Sequence, residues 1–575
     1  MWTAESVRHH DRVAYLPKWP ITRTRTARYT SGHPGNRCEH YAFPSPVTDV
    51  PSRHQSPVRR EEQQMPLFSR RAAIGAIAGS AVVAAAVTLA EKDGLPWQDT
   101  NRNVPDNPVT RENQQQGSGD WRVGKNGTKA ADDVRMQVKA YASAESVNRG
   151  DSIDFHVSVA AAETYLVEIY RMGHYGKAGS RLMLRGPQLR GMAQAAPTTD
   201  VQTGMVSCDW VPSWSLSVPE DWTSGYYLAV FTTESGWRNF APFVVRDDSR
   251  KADVCVVLPF STYHAYNQWP VDGRRGKSLY NGYDPAAVLP AEPTVKDFKR
   301  IPALRAAKVC ADRPFALDGR PTNFDLDHDF LRWAESCGYD LTYATTGDLH
   351  AGRIDASAYR VLTFSGHDEY WSREMRDRAA AAFAGGTSLA FMSANNVYWN
   401  IRYEPSSLGA DRVVVCYKGW DDPEPGISGA TKQWRAGSPG PAEPEQRLLG
   451  VQYNGILPKP VPLVVQNAGH WFWAGTGVKD GDTIDRMIGG EADGLFPDAD
   501  RPSGVSQTLL SSSPYALADG TPMIQNTSVC EAANGAIVFA ASSLTWNYGL
   551  SHNGWTDGRV QRATANLFDR MVHRA

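Results

Sequence analysis

Between Tyr359 and Tyr403 the chain alternates apolar runs with crowded polar turns. Tyr359–Ser365 has no polar alternation, which is the pattern of a strand covered on both faces. Gly366 ends it and His367-Asp368-Glu369-Tyr370-Trp371 follows. Ser372 stands where a helix N-cap belongs, and the Ala-rich run behind it stops at Gly385-Gly386. Thr387–Met392 is a second apolar run that breaks into Ser393-Ala394-Asn395-Asn396-Val397-Tyr398. Strand, helix and strand of these lengths make a βαβ unit, so the two strands are expected to be parallel. Sites in open parallel sheets form beyond the carboxyl ends of strands. His367, Asp368, Glu369, Tyr370, Asn395, Asn396 and Tyr398 are therefore expected in one crevice.

The pattern changes class along the chain. From Asp120 to Arg246 it is all β, with Val138–Ala142, Ser152–Val159, Thr164–Tyr170, Gly225–Thr233 and Ala241–Val245 separated by turn residues. That predicts an immunoglobulin-like β-sandwich domain over 120–246. From 251 to 575 apolar strands alternate with helices: Ala252–Leu258, a helix over Asn323–Gly338, Tyr339–Ala344, the unit above, Gly535–Ala541 and a terminal helix over Gln561–His573. This predicts a doubly wound α/β domain. Tyr403–Asn534 is rich in Gly and Pro, shows few clear elements, and is expected to hold insertions over the sheet edge.

The leader differs from both parts. Residues 1–64 are rich in Arg, His, Pro and Ser and cannot bury a core, so disorder and a mis-assigned start are expected. Residues 65–90 carry Ser69-Arg70-Arg71 and a long Ala/Gly/Val run, the pattern of a twin-arginine signal or anchor. Residues 91–119 read as a polar linker. Export to the outside or to the cell surface follows, with the apolar segment as a membrane tether.

Composition narrows the chemistry. A formal net charge of -2 offers no basic field for nucleic acid. Seven cysteines lack any CxxC; leaving out Cys38 gives an even set that spacing alone does not pair. No HExxH, EF-hand loop, phosphate-binding GxxxxGK[ST] or GxSxG elbow occurs. Ser393 follows a strand where a nucleophile could sit, with His367 from the preceding strand end as its base. Gly173-His174-Tyr175-Gly176 reads as a polar turn or hairpin tip. Ser261–Pro270 follows the first α/β strand and brings Tyr263, His264, Tyr266 and Asn267 to a strand end, as site residues or as an aromatic plug. Phenols and carboxylates are hard oxygen donors, suited to a highly charged cation such as ferric iron.

Several motifs in one order carry a family resemblance: IYRMGHYGKAGSR, STYHAYNQWP with SLYNGYD, NFDLDHDFLRWAESCGYDLTYATTGDLH, VLTFSGHDEYWS and SANNVYWNIRYE. From about Glu168 onward the chain resembles the large (beta) subunit of N,N-dimethylformamidase and its relatives. The resemblance implies a glutamine-amidotransferase-like α/β domain, and hydrolysis of amide or other C–N bonds. It also implies a mononuclear ferric centre held by two Tyr and one Glu. The best-matching positions for the metal are Tyr370, Tyr398 and Glu445, with Glu369 and Glu404 as rivals for the carboxylate. Glu369, His367 and Asn395 are the expected catalytic residues. Tyr266, Asn267, Asn396 and Trp371 are expected to touch substrate. The expected partner is a small-molecule amide, and self-association into a homo-oligomer stays open. The competing readings are a non-catalytic envelope binding protein on the same scaffold and a metal-free Ser393 hydrolase.

Overall fold

The computed structural model describes residues 104–573, apart from 420–421, 425–429 and 438–440. The expected extension over 1–64, the signal segment over 65–90, the first part of the linker and Cys38 lie outside the described residues. The protein is a mixed α/β structure with many sheets and mostly strands.

A seven-stranded sheet organises the second half. Its order is Leu341–Thr345, Val254–Leu258, Val361–Phe364, Ser388–Phe391, Ile537–Ala540, Ser528–Ala532 and Val505–Leu509. The first five strands are parallel; Ser528–Ala532 runs against them, and Val505–Leu509 pairs antiparallel to it. The apolar runs mark strands buried on both faces. Val254, Val256 and Leu258 enter one core with Phe330 and Leu331 of helix Phe324–Ser336 and Leu567 and Phe568 of helix Gly558–Val572. Cys255 and Val257 enter another with Met375 and Ala379 of helix Arg373–Ala384. Alternation along a strand thus feeds two layers. Ser372 caps the last helix by accepting from the Met375 N–H, as its position in the sequence predicts.

The strand-rich part forms two facing sheets. Val138–Ala142, Ser152–Val159 and Trp214–Ser217 make the smaller one. The larger one is built on Trp237–Arg246, Gly225–Thr233, Thr164–Met172 and Ser180–Arg190. Phe155, Val157, Val167, Ile169, Tyr227, Phe231 and Phe243 fill the space between them. The opposite face of the larger sheet is not solvated. Tyr226, Leu228 and Val230 pack into the core that holds Phe324 and Phe330. This is why Gly225–Thr233 carries almost no polar side chains.

Two sequence expectations change. The described end of the expected linker is docked: helix Pro108–Asn113 is capped by Asn107, and Val109 is fully buried. Asn113 donates to Glu335 at 2.9 Å. An Asn before Pro at the first helical position is a helix start, and here it outweighs the polar composition. Tyr403–Asn534 is not poor in elements. It supplies Gly409–Val415, Gln452–Ile456, Val461–Val464, Thr483–Ile488 and Glu491–Gly494, besides Val505–Leu509 and Ser528–Ala532 of the main sheet. The six described cysteines are buried, and Cys208, Cys255, Cys310, Cys416 and Cys530 are free thiols. Among the described residues no helix is long and apolar enough to cross a membrane.

Candidate functional site

The site forms where the carboxyl ends of three neighbouring parallel strands meet. After Val254–Leu258 comes helix Phe260–Tyr266, which delivers Tyr266 at its last residue. After Val361–Phe364, Gly366 lets the chain pass over Asp327; a Cβ there would run into the Asp327 carboxylate. That turn presents His367 and Glu369. After Ser388–Phe391 the chain bends through Asn395 at φ 53° and Val397 at φ 58°.

Glu369 is the hub. Its carboxylate accepts from the Tyr266 hydroxyl at 2.8 Å, from Tyr280 at 2.6 and 2.7 Å, and from Trp399 Nε1 at 3.0 Å. The two phenol oxygens are 3.2 Å apart. His367 Nε2 lies 3.2 Å from the Tyr266 hydroxyl and 3.4 Å from Glu369 Oε2. Its Nδ1 is turned to the Ala394 carbonyl at 3.0 Å. Glu491 completes the ring: its Oε2 accepts from Asn395 Nδ2 at 2.8 Å and lies 3.8 Å from His367 Nε2. Lys418 sits above the rings, its Nζ 3.6 Å from the centroid of Tyr280, 4.7 Å from Trp399 and 5.4 Å from Tyr370.

Burial sets the electrostatics, and the neighbours correct it. Burial opposes charge on His367, yet Glu491, Glu369 and the Ala394 carbonyl push its pKa up to about 9. Burial alone would raise the Glu369 carboxyl; His367, Lys418 and the Tyr280 hydroxyl hold it below its ordinary value. Burial raises the Glu491 carboxyl. Burial also lowers the Lys418 ammonium to about 8. Burial and the Glu369 charge push both phenols, Tyr266 and Tyr280, well above their usual range. Neither ionises at neutral pH without a cation beside it.

Among the described residues, no group of three or more His, Cys, Asp or Glu side chains could hold a metal. The convergent donors are phenolic. Tyr266, Tyr280 and Glu369 bring three oxygen donors within 2.6–3.2 Å of one another.

The expected metal set is distributed differently. Tyr370 pairs in register with Trp399, so the two share a face and Tyr398 turns to the other. The Tyr370 ring stands edge-on to Tyr266 and Tyr280, and its hydroxyl is buried without a hydrogen-bond partner. The Tyr398 ring lies under the Arg435 guanidinium at 5.1 Å and against Tyr453. Glu445 is buried and bound by Arg435 at 2.8 Å, so its charge is already matched. The rival Glu404 pairs with Lys308 at 2.6 Å.

Two expected substrate contacts are structural. Trp371 is wholly buried against Phe364 and Phe391. Asn267 ties its own loop, donating to the Pro314 carbonyl and accepting from the Trp269 and Ala316 N–H groups. Asn396 accepts from the Asp368 N–H at 3.3 Å, with a buried Nδ2 left unpaired. Ser393 Oγ is buried without a hydrogen-bond partner, and His367 makes no bond to it; a nucleophile needs that bond. Gly173–Gly176 is the tip of the Thr164–Met172 and Ser180–Arg190 hairpin, where the Tyr175 hydroxyl donates to Glu112.

Tyr266, His367, Glu369 and Asn395, expected from the sequence as site residues, meet here with Tyr280, Lys418, Glu491 and Asp493, which the sequence did not single out. The signal for Tyr280 was present: SLYNGYD closely follows STYHAYNQWP. Glu491 and Asp493 lie in the short strand Glu491–Gly494, inside the Gly- and Pro-rich stretch where few clear elements were expected.

Residues 166–557 match the model of the family described as N,N-dimethylformamidase beta subunit-like, C-terminal. The N,N-dimethylformamidase beta subunit of Paracoccus aminophilus is 23% identical over 295 residues, 45% of this chain and 38% of that protein. The chain therefore spans well under half the length of this relative. A solved structure of a Paenibacillus sp. cycloisomaltooligosaccharide glucanotransferase shows 9% identity, covers 59% of this chain and 62% of its own, and has a TM-score of 0.16, too low to carry a likeness of fold. With its match extending from the strand-rich part through every group of the site, the chain belongs to the N,N-dimethylformamidase beta subunit-like, C-terminal family.

Proposed function

We propose that the protein is a metal-dependent hydrolase of amide or related C–N bonds, with Tyr266, Tyr280 and Glu369 as the metal ligands. The observation that carries this reading is the meeting of two phenols and one carboxylate within 2.6–3.2 Å. Hard, anionic oxygen donors of this kind suit ferric iron. When bound, such an ion supplies Lewis-acid polarisation of a carbonyl oxygen.

The remaining chemistry belongs to the chain. Hydrolysis must take a proton from water and give one to the leaving amine. Glu491 is the proton acceptor in this reading: burial raises its basicity, and Asn395 Nδ2 fixes its Oε2. His367 Nε2, 3.2 Å from the Tyr266 hydroxyl and 3.4 Å from Glu369, can donate a hydrogen bond where a carbonyl oxygen gains negative charge. The half-buried rings of Tyr398 and Tyr453 wall the side facing Glu491. Lys418 packs over Tyr280 and Trp399 and helps to exclude water.

Finer features belong to the same reading. Residues 120–246 are an immunoglobulin-like domain, supported by the two facing sheets. Residues 251–575 are a glutamine-amidotransferase-like domain, supported by the five parallel strands. Export to the cell surface or beyond rests on Ser69-Arg70-Arg71 and the apolar run after it.

The test is hydrolysis by the purified, iron-loaded chain of a series of N-alkyl formamides, following formate and amine release. Equimolar formate and amine from at least one substrate, abolished in Glu491→Gln, is expected. Absence of product across amides and related C–N substrates would overturn the proposal.

A further inference from the structure

Two acids grip one asparagine. Glu491 and Asp493 are two residues apart in the strand Glu491–Gly494, so their side chains leave it on one face. Asn395 donates through its side-chain Nδ2 to Glu491 Oε2 at 2.8 Å and through its backbone N–H to Asp493 Oδ1, also at 2.8 Å. The loop they hold is strained. Asn395 has φ 53°, which asparagine tolerates, and Val397 has φ 58°, which a β-branched residue rarely adopts. Such backbone persists only where its surroundings over-determine it.

Asp493 is well placed for that task. Its own N–H donates to the Ser542 carbonyl at 3.2 Å, and its carbonyl accepts from the Asn526 N–H at 3.1 Å. The residue is 1% exposed, and its Oδ2 has no hydrogen-bond partner. A buried carboxyl with one unpaired oxygen costs stability, and here its single bond goes to the strained turn. Asp493 has no hydrogen bond to the phenols or to Glu369; it reaches the site through the Asn395 backbone and, by charge, through Glu491 on its own strand.

We infer that Asp493 is a positioning residue of the hydrolytic site. By holding the Asn395 backbone it aims the Asn395 amide at Glu491 and so fixes the proton acceptor. This rests on the hydrolase reading for its kinetic consequence but not for its structural one.

The test compares Asp493→Ala with Asp493→Asn in the full, iron-loaded chain, using N,N-dimethylformamide or whichever N-alkyl formamide the parent cleaves. Asp493→Ala should lose about 10²-fold in kcat, the scale of a misplacement of about 1 Å, with KM within about twofold and iron content unchanged. Asp493→Asn keeps an oxygen for the Asn395 N–H and should stay within about threefold of the parent. A crystal structure of Asp493→Ala should show Asn395 out of the left-handed region and its amide off Glu491. Parental kcat in Asp493→Ala, a 10²-fold loss in folded Asp493→Asn, or an unmoved Asn395 would each overturn the inference. If the parent cleaves no amide, the hydrolase reading fails, and the position of Asn395 in the variant structure still decides the role of Asp493. If Asp493→Ala does not fold, the kinetics and crystal structure of Asp493→Asn decide.

Discussion

The hydroxyls of Tyr266 and Tyr280 lie 3.2 Å apart, and both donate to the one carboxylate of Glu369. Tyr266 ends a short helix, and Tyr280 comes from the loop after it. The loop is tied back by the Leu279 N–H, which donates to the Ala265 carbonyl at 3.0 Å. Two phenols, each costly to ionise, are thus aimed at a buried carboxylate. The carboxylate is also faced by His367 and Lys418, which hold it below its ordinary pKa.

A buried ion pair joins the strand-rich part to the α/β part. Arg171 Nη2 meets Glu335 Oε1 at 2.7 Å, with both side chains fully buried. Arg171→Met leaves the Glu335 charge unmatched and should cost about 3–5 kcal/mol. Arg171→Met combined with Glu335→Leu should recover most of the loss. Urea unfolding of the single and double variants reads this. A single variant as stable as the parent would show that the Tyr343 hydroxyl and Asn113 suffice for Glu335.

Gly366 is needed for its missing side chain. Gly366→Ala pushes a methyl into the Asp327 carboxylate, which is itself held by the Tyr263 and Ser365 hydroxyls at 2.5 Å. Overpacking of this kind costs about 1–3 kcal/mol and should displace the turn that carries His367. Thermal unfolding should shift down, and metal uptake should weaken in parallel. An unchanged melting temperature would mean that the turn has room to move.

Acid should weaken the protein partly through His328. The ring is buried against Trp121 and Phe324 and gives its Nε2 proton to the Gly179 carbonyl at 2.7 Å. Burial, with Arg332, Arg122 and Arg320 nearby, lowers its pKa to about 3. The folded value is depressed below the unfolded value of about 6.5, so the unfolded chain binds the proton first. The contribution to stability is complete above that value and is lost progressively as pH falls toward about 3. His328→Gln should show a smaller stability difference between pH 7 and pH 5 than the parent. Equal differences would remove His328 from the acid response.

The legible parts were those where one force dominates. Val254–Leu258 and Val361–Phe364 are apolar because both faces are covered, and they pair directly in parallel register. Ser372 and Gly385-Gly386 bracket a helix by local chemistry alone. The strand Glu491–Gly494 was illegible because its two acids point inward to meet Asn395, a partner far away in sequence. Tyr398 and Glu445 lie together away from the Tyr266–Tyr280–Glu369 cluster. Both neighbour Arg435, and that partnership is visible only in three dimensions. Topology predicted which strand ends converge, but Tyr280 arrives from a loop after helix Phe260–Tyr266, and a loop's path is set by tertiary contacts such as the Leu279 N–H to the Ala265 carbonyl.

In the proposed function Tyr266, Tyr280 and Glu369 hold one hard cation. The direct measurement is the visible absorption spectrum, with iron content per chain, of the parent and of Tyr266→Phe, Tyr280→Phe and Tyr398→Phe after identical reconstitution with iron. The parent should carry about one iron per chain and a tyrosinate-to-iron charge-transfer band, by the donor chemistry of phenolate and carboxylate. Tyr266→Phe and Tyr280→Phe should each weaken both signals, and Tyr398→Phe should keep them. A colourless, iron-free parent, or a band that survives Tyr280→Phe and vanishes with Tyr398→Phe, would contradict the claim.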